Sequence, residues 1–175
     1  MVDEALHGSD ALQTSAVLAA ALQQLEYDLI LSGAEATDSQ MSVMPALLAE
    51  RLGIPQLSGA RKLTVEGGTA KVERQTDGGY WALEAPLPAI VSTWDTINEP
   101  RYPSFKGIMA AKKKPVQTFS LADLGIDPST VGLASASSKV LDFAGRPPKG
   151  EGVKVTDEGD GAEKLVGYLA AQKIV

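Results

Sequence analysis

No cysteine occurs in the sequence, and histidine occurs once, as His7. The first absence excludes disulfides, thiolate nucleophiles and the common cysteine-based zinc sites, and it fits a reducing compartment. The second leaves any Ser-His-Asp triad dependent on one side chain in an expected loop, with no G-x-S-x-G beside it; His7 reads as a surface residue. Long apolar runs are missing too. The longest, AVLAAAL, falls well short of the roughly 20 residues that span a bilayer, and the acidic opening MVDEALHGSD lacks the apolar stretch of a secretory leader. Positive charge is in deficit: 16 Lys and Arg stand against 22 Asp and Glu, a net charge of -6. A general nucleic-acid surface is thereby excluded, because phosphates are repelled by an acidic face. The expectation is a cytoplasmic protein with no nucleic-acid partner. What is present, 175 residues with 44% hydrophobic and 22% charged, suits one domain with a real core.

Along the chain, GSDALQTSAVLAAALQQLEY predicts a helix. Ser9 or Asp10 can cap its free amides, and Leu12, Ala16, Ala19, Leu22 and Leu25 recur at helical spacing. YDLILSG then has the form of a buried parallel strand. ALLAERLGIP predicts a second helix, with Pro45 in its first turn and Gly53 closing it. Helix, strand, loop and helix make half of a doubly wound α/β sheet. In the middle, alternating runs are broken at Gly67-Gly68 and Asp77-Gly78-Gly79, which predicts hairpin strands near 61–66, 69–76 and 80–85 and a buried strand at 88–93. After Lys114 the pattern weakens: VQTFS is a possible strand, LADLGID a turn, and 128–150 too irregular to fill a core. A last helix is expected over about 161–173, with Asp160 and Glu163 as a capping-box pair. An α/β domain of this type ordinarily opens on a strand, so a chain opening on a helix reads as the later part of a longer protein.

Two stretches carry candidate chemistry. The loop GAEATDSQMS (Gly33, Ala34, Glu35, Ala36, Thr37, Asp38, Ser39, Gln40, Met41, Ser42) lies between a strand and a helix. Ligands of α/β sheets bind at strand carboxyl ends, and a helix N-terminus suits phosphate. The loop matches neither a Walker motif nor G-x-G-x-x-G, so its residues alone favour an ordinary polar loop capping a helix over a binding loop. The second stretch, NEPRYPSFKGIMAAKKKP, sets Tyr102 and Phe105 before Ile108, Met109, Lys112, Lys113 and Lys114. An aromatic among polar neighbours can anchor in a partner's pocket, and a local basic patch steers an acidic partner. The alternatives are core packing for Phe105 and Met109 and a solvated helix end for the lysines. In ERQTDGGYW, Arg74, Tyr80 and Trp81 fit cross-strand packing or a subunit-facing surface.

AKVERQTDGGYWALEAPLPAIVST resembles the signature of the electron-transfer flavoprotein β-subunit family. NEPRYPSFKGIMAAKKKP and DLILSGAEATDSQMSVMPALLAERLGIP are similar to two further blocks of that family, in the same order. The resemblance implies a three-layer, Rossmann-like sheet of the adenine nucleotide α-hydrolase-like kind, short of its N-terminal part, with an antiparallel hairpin extension. It implies residues 1–115 as a partial nucleotide-binding domain and 116–175 as an arm embracing an α subunit; by itself the latter reads as a tail with one helix. It further implies an electron carrier rather than an enzyme. FAD would be held mainly by the α subunit, and AMP or a second FAD by the 33–42 loop. Tyr102, Phe105, Ile108, Met109 and the lysines would dock acyl-CoA and other flavin dehydrogenases of fatty acid oxidation, with electrons passing to a membrane quinone oxidoreductase. Arg74 would sit at the subunit interface. Gln75 departs from the acid many members carry there, which removes one possible intersubunit ion pair. The rival readings are a nucleotide hydrolase or ligase of the same superfamily and a stress-protein-like nucleotide binder.

Overall fold

The computed structural model describes residues 3–150, 152 and 154–174. It divides into two compact units, Met1–Lys139 and Val140–Val175. The first contains α1 (Ala11–Leu22), β1 (Leu29–Gly33), α2 (Met44–Leu52), β2 (Gln56–Glu66), β3 (Thr69–Thr76), β4 (Gly79–Pro86), β5 (Ala89–Thr93) and α3 (Phe105–Ala111). The strands form one five-stranded sheet in the order β1-β5-β2-β3-β4. β5 runs parallel to both β1 and β2, while β2, β3 and β4 pair antiparallel. The chain is therefore α/β, with a parallel part and a hairpin extension, as the patterning implies.

β5 lies between two partners, and its continuous apolar run is what such a strand requires: Ala89, Ile90 and Val91 are 0% exposed. Ile90 packs with Ala19, Leu48 and Ala49 of the helices. Val91 turns the other way and joins Leu57, Ala60, Ala70, Val72 and Ala85. The two hairpins follow from local chemistry. Gly67 and Gly68 both adopt positive φ (56° and 75°), a conformation that a two-residue turn needs and that side chains resist. β2 begins at Gln56, earlier than the alternation predicts, because its first half pairs with β5 and a bulge between Ala60 and Lys62 hands the strand over to β3. α2 carries Pro45 in its first turn and closes on Gly53 at φ 66°, as expected.

Several expectations are corrected. β1 is an edge strand rather than a buried one, and its Leu31 is 60% exposed. Asp10 does cap α1, reciprocated by Gln13, but the buried positions of that helix are Gln13, Ser15, Val17 and Ala19, while Leu12 and Leu25 are exposed. Two different neighbours flank the helix, so its burial does not follow one stripe. Ala19 faces α2 and the sheet, whereas Val17 packs with Leu121, Leu124 and Val131. Residues 116–120 form no strand. Val131 is buried, so the irregular stretch after residue 128 does supply a core residue.

That stretch is also pinned by polar contacts. Gln13 Nε2 donates to the carbonyls of Thr130 (3.3 Å) and Gly132 (3.2 Å). Ser9 Oγ accepts from the Gly132 amide at 2.9 Å, and the Leu133 amide donates to the His7 carbonyl at 3.0 Å. Asp10 Oδ2 accepts from the amides of Ser137 (2.7 Å) and Ser138 (3.2 Å). The Gln13 amide, then those of Ser137 and Ser138, hold the Asp10 carboxyl below its ordinary value of 3.8.

In the second unit α4 spans Gly161–Ala171. The expected capping pair does not form. Asp157 Oδ1 instead accepts from the amides of Gly159 and Gly161, both at 2.9 Å, and Asp160 pairs with Lys164 at 2.8 Å. Leu165, Val166 and Tyr168 on this helix are exposed.

Candidate functional site

The carboxyl ends of the parallel strands form one row across the sheet. Gly33 pairs with Thr93, Thr93 with Ala60, Ala60 with Arg74, and Arg74 with Trp81. Strand carboxyl ends are where open α/β sheets take ligands, and two of the sequence-derived candidates lie at the two ends of this row.

At one end, the 33–42 loop leaves β1 and enters α2. Ala34 is half-buried, and Gly33 and Glu35 to Ser42 are exposed. Gln40 and Ser42 adopt positive φ, 51° and 55°. The reading of this loop as a helix cap fails: α2 has Val43 at its N-cap position and no side chain bonded to its first amides. The Thr37, Ser39 and Ser42 hydroxyls are thus not spent on capping. Ser42 Oγ donates instead to Glu35 Oε2 at 3.2 Å. Beneath the loop, Ser32 Oγ is buried with no hydrogen-bond partner. Its neighbour Ser92 accepts from the Gly59 amide at 3.0 Å, and Thr93 Oγ1 donates to the Ser32 carbonyl at 3.4 Å. The unpaired Ser32 hydroxyl and the first amides of α2, which no side chain caps, are polar groups left unspent at this end of the sheet, and an unpaired buried group is costly. Glu35 and Asp38 oppose a bare phosphate but suit ribose hydroxyls as acceptors.

At the other end, Arg74 is half-buried and oriented by Ser58: Nε donates to the Ser58 carbonyl at 2.7 Å and Nη2 to Ser58 Oγ at 3.1 Å. Gly59 lies between two side chains at φ 69°, a conformation that favours glycine; a Cβ there would be in ordinary contact with Trp94 Nε1 (3.5 Å) and Arg74 Cγ (3.6 Å). Tyr80 lies on the opposite strand face from Trp81, 4.4 Å beneath the guanidinium of Arg61. Ser58, Gly59 and Trp94 were not legible as partners of Arg74; a glycine interrupting an alternating strand was the one available signal.

The third candidate is set apart by exposure. Every residue from 98 to 118 is exposed. Ser104 Oγ caps α3 by accepting from the Gly107 amide at 3.1 Å, and no residue of α3 is buried. Tyr102 is 95% and Phe105 81% exposed, so Phe105 is not a core residue. Ile108 and Met109 are exposed as well, which corrects the reading of Met109 as core. Lys112, Lys113 and Lys114 follow at the helix C-terminus, where cations are favoured by the dipole. Among the described residues no group of His, Asp or Glu is placed to hold a metal ion, and no helix is long and apolar enough to cross a membrane.

Mixed sheet, loop and exposed helix together make up an α/β domain. A family model described as "Electron transfer flavoprotein domain" matches residues 1–124. The chain is 53% identical over 174 residues to an electron transfer flavoprotein subunit beta of Mycobacterium leprae (strain TN), covering 99% of this chain and 65% of that protein. It is 51% identical over 174 residues to the protein of that name from Mycobacterium tuberculosis (strain ATCC 25618 / H37Rv), with the same coverage. Against that of Megasphaera elsdenii it is 33% identical over 184 residues, covering 99% of this chain and 68% of the relative. The chain thus spans 65% of the length of its mycobacterial relatives. It belongs to the electron transfer flavoprotein family, and these relatives are β subunits.

Proposed function

We propose that this chain acts as the β subunit of a heterodimeric electron transfer flavoprotein, a carrier with no bond chemistry of its own. FAD, held mainly by the α subunit, supplies the redox chemistry when bound, and this chain supplies position and electrostatics. Its 33–42 loop takes an adenine nucleotide, AMP or a second FAD, with Ser32, Thr37, Ser39 and Ser42 offering hydroxyls and α2 its first amides. Arg74 faces the α subunit, and residues 116–175 embrace it as an arm. The cytoplasm is the proposed compartment.

The observation that carries the reading is the uncovered segment: Phe105 stands 81% exposed one helix length before three lysines in an acidic chain. Charge brings an acidic partner quickly, and one small apolar contact holds it briefly. Such a surface suits transient docking of acyl-CoA and other flavin dehydrogenases, followed by release toward a membrane quinone oxidoreductase.

Co-expression with an α subunit, followed by size-exclusion chromatography and a visible spectrum, tests the proposal. A yellow heterodimer reduced by an acyl-CoA dehydrogenase is expected. A lone chain that binds no α subunit, or that hydrolyses a nucleotide, would overturn it.

A further inference from the structure

Two arginines project from the hairpin sheet, and their surroundings differ. Arg61 is neutralised within the chain: Nη2 lies 2.9 Å from Glu73 Oε2, and Tyr80 covers its guanidinium. Arg74 has no acidic partner among the described residues. Glu73, its sequence neighbour, points to the opposite strand face and is shared by Arg61 and Lys62. In a chain of net charge -6, an uncompensated half-buried cation is an exception that needs a reason, because partial desolvation of a charge is offset only by a counter-charge or strong hydrogen bonds.

Its two bonds to Ser58, at 2.7 and 3.1 Å, offset part of that cost but bring no opposite charge. They occupy Nε and one Nη2 proton and leave the Nη1 pair and the other Nη2 proton free, while fixing the plane of the fork. A guanidinium fixed in this way meets a carboxylate with two parallel hydrogen bonds and loses little side-chain entropy in doing so. Around it stand two half-exposed tryptophans: Trp81, its cross-strand partner, at 60%, and Trp94, which like Arg74 borders Gly59, at 41%. Tryptophan and arginine are the residues most enriched at the energetic centres of protein interfaces, where the aromatics keep water from the charge pair.

We infer that Arg74, Trp81 and Trp94 form the receptor for one Asp or Glu side chain of the partner subunit. The inference rests on the reading of this chain as a β subunit and adds to it the chemistry of the contact. Ser58 and Gly59 are positioning residues: the first orients the fork, and the second supplies the positive φ that the backbone takes between Arg74 and Trp94. Charge complementarity selects the occupant, since Arg61 is paired with Glu73 and Arg74 has no acidic partner among the described residues.

The test uses the heterodimer of this chain with its α subunit. Arg74→Gln is expected to raise the dissociation constant at least about tenfold, and Arg74→Lys, which keeps the charge but not the fork, to restore only part of it. Arg74→Glu is expected to be rescued by one Asp→Lys or Glu→Lys substitution in the α subunit. Because Arg74 also ties β3 to β2, the wild-type chain provides a second measurement. Phenylglyoxal should label Arg74 in the lone chain and be excluded in the heterodimer, with exposed Arg101 labelled in both. Equal affinity of the Arg74→Gln heterodimer, full recovery with lysine, or unchanged labelling would overturn the inference and leave the β-subunit reading intact. Protection of Arg74 in the lone chain by millimolar inorganic phosphate would reassign the receptor to a free anion and overturn it too. Absence of any wild-type heterodimer would remove the reading on which it rests.

Discussion

Replacing Gln13 with methionine tests how the irregular segment after residue 119 is held. The two side chains are close in length, so packing around this buried position is largely kept and the polar contacts are lost. Three hydrogen bonds disappear: those from Nε2 to the Thr130 and Gly132 carbonyls and the one that Oε1 accepts from the Asp10 amide. At roughly 1 kcal/mol net for each bond, the two long-range bonds contribute about 2 kcal/mol, and the reciprocal half of the capping box adds about 0.5 kcal/mol. Loss of about 2–3 kcal/mol is therefore expected in urea unfolding, without a change in slope if the same surface is exposed. Local opening should show first. The Leu133 amide, which donates to His7, and the Gly132 amide, which donates to Ser9, should exchange with solvent faster than amides of β5. Val131→Ala, which removes buried methyls from the cluster with Val17, Leu121 and Leu124, should couple to Gln13→Met, so that the double variant loses less than the sum. A Gln13→Met protein within about 0.5 kcal/mol of wild type, with Leu133 protection unchanged, would refute the argument that these bonds fasten the segment to α1.

Three other outcomes are expected. Asp10 has a folded-state pKa below the ordinary carboxylate value, so its bonds to Ser137 and Ser138 stabilise at neutral pH and are lost as pH falls through that lowered value. Exchange at the Ser137 and Ser138 amides should therefore rise only in strong acid, and Asp10→Asn should abolish that pH dependence. Phe105→Ala should weaken transfer from a dehydrogenase by about 2 kcal/mol or more without changing flavin content, and added salt should slow the wild type through screening of Lys112, Lys113 and Lys114; equal rates at low dehydrogenase concentration would dismiss the anchor. Ser42→Glu should lower AMP or FAD content of the heterodimer, measured by calorimetry and absorbance, because a third acid joins Glu35 and Asp38 in the loop; unchanged content would place the nucleotide elsewhere.

Much of this molecule was determined by the sequence alone, and for one reason: those features are local. Two glycines in succession can adopt the positive φ of a tight turn, so the hairpin between β2 and β3 was legible, as were the proline and glycine that bound α2. Alternating and continuous apolar runs distinguished the hairpin strands from β5. What only the tertiary structure decided is burial and convergence, which depend on remote segments. Gln13 and Ser15 are inside because residues 130–132 and Arg51 come to bond them. Leu31 is exposed because β1 takes the edge of the sheet, a place that no pattern within five residues can specify. Met109 has the apolar side chain of a core position but sits on a helix with no buried residue. Arg74, Ser58, Gly59 and Trp94 come together only once strand pairing and the bulge in β2 align their register, because a side chain's neighbours across a sheet are chosen by the fold and not by the chain on either side of it.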